Sequence, residues 1–104
     1  MGKRDNIEQL IKFLTYAVVH RIGSIVNIKE IYANKYKKES EGFMKSAKEV
    51  SFKENWNNYD KTNIKEKLKN KVYNELLKRD FINEKKFEIM DAEIEKVLDE
   101  LNLS

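Results

Sequence analysis

Residues 63–79 read NIKEKLKNKVYNELLKR, and this stretch decides the fold class. Ile64, Leu68, Val72 and Leu76 recur every four residues, with Tyr73 and Leu77 beside them. That spacing gathers the apolar side chains on one side of a 3.6-residue helix and turns the intervening lysines elsewhere. A strand would alternate at every second residue, which this stretch does not do. Asn63 with Glu66 three residues on has the form of a capping box. The helix is therefore expected to open at Asn63 and reach about Arg79.

The same signature recurs on both sides. Asp5 and Glu8 frame a second box, and Ile7, Leu10, Ile11, Leu14 and Val18 follow at helical spacing. They predict a helix over about residues 6–22, with Gly23 suited to its C-terminal cap. Phe13, Tyr16 and Ala17 widen the apolar surface, as a central helix would need. Asn27 and Glu30 open another helix, striped by Ile28, Ile31, Tyr32 and Tyr36, to about Glu41. Gly42 then permits a break before Phe43, Met44, Ala47 and Val50. Ser51 and Glu54 open a short helix with Phe52, Trp56 and Tyr59 on one face, ending at residues 57–60.

The last helix is expected near Asp91, with Ile94, Val97, Leu98 and Leu101 as its stripe. Asp91, Glu93 and Glu95 fall in its first turns, where carboxylates interact well with the helix dipole. Residues 81–89 read either as a short β-hairpin, Phe81 and Ile82 against Phe87, Glu88 and Ile89, or as an irregular link. The chain is thus expected to be all-α or nearly so. It forms a compact bundle of four to six helices in a single domain over 5–103, after a disordered N-terminus at 1–4. Leu14, Leu68, Val72, Leu76, Val97 and Leu98 are the expected core.

With 104 residues the chain can bury a core without covalent staples. It has no cysteine, which excludes disulfides and thiolate zinc sites. No apolar run approaches the ~20 residues that cross a bilayer. Residues 1–6 lack both a signal-peptide core and a myristoylation pattern, so a soluble, cytoplasmic protein with no membrane contact is expected. Asn27-Ile-Lys-Glu and Asn63-Ile-Lys-Glu stand 36 residues apart. The capping box itself selects these residue types, so this is read as coincidence rather than as a repeat.

No catalytic, cofactor-binding or metal-ligating set emerges. His20 is the only histidine, and it has no nucleophile and acid near it in sequence. A cation in the last turn of a helix explains it. Asp91, Glu93 and Glu95 alternate around their helix and do not converge on one ion. The three glycines are isolated, so no phosphate loop exists. The chain is not expected to be an enzyme.

Charge is the one functional hint. The net charge is +3, but residues 61–86 carry +5 and residues 87–104 carry −5. A basic segment points to phosphate contacts, or to two helices that attract each other. On a helix Lys65 and Lys69 share one side and Lys67, Lys71 and Lys78 another. Lys65, Lys67, Lys69, Lys71, Lys85 and Lys86 are the candidate nucleic-acid contacts. Lysine favours phosphate over base reading, for which arginine is the usual residue. The reading is a small non-enzymatic module that binds a macromolecule, nucleic acid foremost. The alternative is a protein-interaction or self-assembling domain using Tyr32, Tyr36, Trp56 and Tyr59.

Two pieces have a further likeness. Ser24-Ile25-Val26 before Asn27-Ile28-Lys29-Glu30-Ile31-Tyr32 looks like the approach to the second helix of a winged-helix domain. Leu76-Leu77-Lys78-Arg79-Asp80-Phe81-Ile82, with a hairpin to Ile89, looks like a final helix entering a wing. In outline the chain resembles winged-helix domains with residues 43–60 inserted. The resemblance covers about a third of the chain and implies a fold only, with no site residue carried over.

Overall fold

A computed structural model describes residues 2–27, 29–79 and 84–104. Four helices follow in order: α1 (Lys3–Val26), α2 (Glu30–Ser51), α3 (Asn58–Lys78) and α4 (Lys85–Glu100). There is no strand among the described residues. The body measures 40 × 21 × 21 Å. No helix among the described residues is long and apolar enough to cross a membrane.

The central helix is α1. It buries Leu10, Ile11, Leu14, Ala17, Val18, Val19 and Ile22, nearly its whole circumference. Such a helix must be enclosed, and the other three pack around it. α2 runs antiparallel to it. Asn6 Nδ2 donates to Glu54 at one end (2.7 Å), and Ser40 Oγ donates to the Ala17 carbonyl midway (2.8 Å). At the other end Gly23 lies under the Tyr36 ring, where an added Cβ would sit 3.2 Å from Tyr36 Cδ2. Gly23 therefore lets the helices approach rather than ending α1, which continues to Val26.

α3 runs parallel to α1, anchored where Lys3 pairs with Asp60. α4 returns antiparallel to α3, with Lys86 beneath Leu76 and Arg79, Asp91 beside Lys69, and Glu95 beside Lys65. The expected core is met: Leu14, Leu68, Val72, Leu76, Val97 and Leu98 are each 0% exposed. α4 ends in a Schellman turn. Asn102 adopts φ 58°, the Asn102 N–H donates to the Asp99 carbonyl, and the Leu103 N–H donates to the Leu98 carbonyl. The turn drives Leu103 into the core.

Several boundaries differ from the sequence reading. α1 starts at Lys3, so Lys3 and Arg4 belong to its first turn, and Asp5 does not cap it. α2 passes through Gly42 unbroken. Asn27 accepts from the Lys29 N–H, just ahead of α2. Ser51 is the last residue of α2, so Phe52, Trp56 and Tyr59 share no short helix. Residues 57–60, expected as a helix end, form the N-terminal box of α3. Asn57 Oδ1 accepts from the Asp60 N–H (2.8 Å), and Asp60 accepts from the Asn57 N–H (3.1 Å). Asn63 is inside α3 whereas Asn27 precedes α2, so the two Asn-Ile-Lys-Glu stretches are not equivalent.

The hairpin at 81–89 falls partly on residues 80–83, outside the described residues. Its second limb is overturned: Phe87, Glu88 and Ile89 lie in the first turns of α4, which opens at Lys85 rather than near Asp91. Phe87, Met90 and Ile94 extend the apolar stripe backward at steps of three and four, which favours helix over strand. The winged-helix outline loses both supports, because Ser24–Val26 also lies inside α1.

Candidate functional site

The lysines of the basic segment are divided by α3 itself. Residues 65 and 69 stand on the side of α3 that meets α4. There Lys65 pairs with Glu95, and Lys69 Nζ lies 3.5 Å from Asp91. The hydrogen bond to Glu95 raises the Lys65 pKa above its ordinary value. On this side the basic segment and the acidic helix neutralise each other.

Lys86 is buried. Its Nζ donates to the Leu76 carbonyl (2.6 Å) and the Arg79 carbonyl (3.0 Å), and it lies 5.1 Å from the Phe87 ring centroid. The ammonium satisfies carbonyls that the end of α3 leaves without helical partners. Lys86, a candidate phosphate contact in the sequence, is thereby committed to the fold. Lys85 is exposed in the first turn of α4.

Lys67 and Lys71 point away from α4. Lys71 and Lys78 of α3 face Lys12 of α1 across an open groove of about 250 Å³, together with Thr15, Tyr16, Asn74 and Glu75. Lys12, Lys67, Lys71 and Lys78 are all exposed. Among the described residues no carboxylate lies in ion-pair distance of any of these four. Glu75 is the acidic group of the groove, and Arg79 Nε approaches it at 3.9 Å. The α1–α3 face therefore carries four exposed lysines that form no ion pair among the described residues, with Glu75 between them. Lys12 and Lys78 are contributors that the sequence reading left out of its candidate set. Lys78 was legible on the Lys67–Lys71 side, whereas Lys12 required the packing of α1 on α3.

α2 and α3 each pack on α1, leaving its Lys12–Tyr16 face between them. Tyr16 is half-buried there. Its ring lies 5.4 Å from Phe43 of α2, and Phe43 lies 5.3 Å from His20. His20 lies 5.7 Å from Tyr36. A second shallow hollow, lined by Phe13, His20, Glu39, Gly42, Phe43 and Ser46, opens on the α2 side of this row.

His20 is not at a helix end, since α1 continues past it. Its Nδ1 donates to the Tyr16 carbonyl (2.7 Å), and Nε2 meets Glu39 Oε2 at 2.9 Å. Both ring nitrogens face acceptors. The group ties α1 to α2.

The most buried carboxylate among the described residues, Glu93, accepts from Arg21 Nε and Lys96 Nζ, both at 2.9 Å. Burial weakens the Arg21 charge, but Glu100 and Glu93 outweigh it and raise the Arg21 pKa. This is a tie between α1 and α4. Asp91, Glu93 and Glu95 are drawn to different partners, as their alternation implies. Among the described residues no group of three His, Asp or Glu side chains is arranged to hold a metal ion.

The aromatics proposed as one partner face lie at different places. Tyr32 is half exposed near the start of α2, and Tyr36 packs on Gly23 and His20. Trp56 is partly buried at the far end, its Nε1 donating to the Ser51 carbonyl (2.9 Å), and Tyr59 is 79% exposed at the start of α3. No protein-family model, curated protein or solved structure matches this chain.

Proposed function

We propose that this chain is a small non-enzymatic helical module that binds nucleic acid through its phosphate backbone, along the α1–α3 face. One observation carries the reading: Lys12, Lys71 and Lys78 rim a single open groove, Lys67 stands on the same side of α3, and among the described residues none of the four has a carboxylate in ion-pair distance, Glu75 of the groove being approached by Arg79 instead. A row of unpaired ammonium groups attracts a polyanion and releases its condensed counterions on contact. Lysine at these positions suits phosphate contact, which positions a protein without reading sequence. The cytoplasm is the compartment this reading takes.

Fluorescence anisotropy with mixed-sequence oligonucleotides at low salt tests it. Binding that is indifferent to sequence and falls steeply with added salt is the expected outcome. Absence of binding to any single- or double-stranded oligonucleotide at low salt overturns it. The runner-up is a protein-interaction or self-assembling domain. Ile31, 75% exposed, and Tyr32, 49% exposed, favour it near the start of α2. A rise in solution mass across a concentration series would support that reading.

A further inference from the structure

The lysine rim borders the row of half-buried rings along α1 and α2. We infer that the ligand is single-stranded rather than double-stranded nucleic acid, seated in the trough that α2 and α3 form over α1. This rests on the phosphate-binding reading above and names the form of nucleic acid it takes.

The trough consists of two unlike hollows on either side of the Tyr16–Phe43 ring pair. On the α3 side Lys71, Asn74, Glu75 and Lys78 face Lys12 over about 250 Å³ of open space, with Arg79 Nε 3.9 Å from the Glu75 carboxylate. On the α2 side Phe43 stacks at a tilt of 36° against Tyr16, and beyond it lies the hollow of about 330 Å³ edged by Phe13 and Gly42. Nothing lies within 4 Å of a Cβ built on Gly42, so the hollow is open there. Its carboxylate, Glu39, is held by His20.

A ligand matched to this trough must offer negative charge along one edge and flat apolar faces along the other. An unpaired strand does so, with phosphates on one side and bases on the other. A duplex keeps its bases stacked inside and presents only phosphate to a recessed ring. Positive grooves with aromatic rings are the recurring way to hold single strands, since every base has a face that stacks. The amide of Asn74 adds a donor and an acceptor at the α3 wall, beside the lysines.

The test compares anisotropy titrations of a short labelled poly-dT strand and a duplex of equal length. It uses the whole chain and the variants Phe43→Leu, Tyr16→Leu, and Lys71→Gln with Lys78→Gln. Leucine keeps apolar bulk but removes the aromatic face. Helical circular dichroism and the fluorescence of Trp56, which lies outside the trough, report folding of each variant. The single strand should bind more tightly than the duplex. Phe43→Leu should weaken the single strand at least about fivefold and leave the duplex unchanged. Should Tyr16→Leu fail to fold, Phe43→Leu decides alone. Equal affinity for the two forms, or single-strand affinity indifferent to Phe43→Leu, overturns the inference. If the double lysine variant still weakens both forms, the phosphate-binding reading stands without it. No binding to either form overturns both.

Discussion

Removing the charge of Lys71 and Lys78 together, as Lys71→Gln with Lys78→Gln, should halve the salt sensitivity of nucleic-acid binding. Four lysines on the α1–α3 face form no ion pair among the described residues: Lys12, Lys67, Lys71 and Lys78. If each meets one phosphate, log K against log salt should fall on a single strand with slope about −2.8, or 0.7 per contact. Raising salt from about 50 to about 200 mM then weakens binding about 50-fold. With two contacts left the slope is about −1.4, and the same change in salt weakens binding only about sevenfold. The control is Lys65→Gln with Lys69→Gln, which removes equal charge from the same helix on the side paired with Glu95 and Asp91. That variant should leave the slope near its original value. Anisotropy titrations at several salt concentrations measure all three slopes. A slope lost equally in both double variants would mean that binding follows net charge, and would refute assignment to this face.

Three further outcomes follow from the packing. Leu68→Ala or Leu76→Ala should each destabilise the protein by about 2–5 kcal/mol, because both side chains are fully buried; an unchanged melting temperature would remove that stripe from the core. Asn102→Val should destabilise by about 1–2 kcal/mol while Asn102→Gly does not, since residue 102 holds φ 58°; equal denaturation midpoints for the two would count against the Schellman turn. The Asp60 pKa is lowered chiefly by the hydrogen bond from Lys3, with the Asn57 N–H assisting and burial opposing. Its contribution is present above the ordinary carboxylate range and fades as pH falls through the lowered value. Asp60→Asn should flatten the acid limb of a stability–pH curve, and an identical acid limb would refute the coupling.

The apolar stripes were legible because burial acts on every turn of a helix. Ile64, Leu68, Val72 and Leu76 announce the buried face of α3 without reference to any partner, and the structure buries all four. Capping signals were less legible because a cap contributes only about 1 kcal/mol and its residue types are abundant here. Asn63 and Glu66 have the form of a box, yet α3 begins five residues earlier. Asn57 and Asp60 cap it there, and Asp60 is also held by Lys3 from another helix. Gly42 shows the same balance. A glycine inside a helix costs about 1 kcal/mol, whereas continuing α2 past it buries Ala47 and Val50 against α1. The role of Lys86 lay out of reach of any local pattern, since it requires the end of α3 to lie above the start of α4.

The same limit explains how the charge pattern had to be resolved. The sequence separates Lys65 and Lys69 from Lys67, Lys71 and Lys78 by helical angle alone. It does not say which set meets the acidic residues 87–104. Packing α4 against the Lys65–Lys69 side satisfies Glu95 and Asp91 there, and Arg21 and Lys96 take Glu93. The acidic helix is thereby engaged away from the α1–α3 groove. Attraction between the two segments and phosphate binding were rival readings of one basic stretch. α3 is amphipathic in charge as well as in hydropathy, so both fit the same helix on different sides. The side of α3 turned from α4 adjoins half-buried Tyr16, whose ring packs on Phe43 of α2.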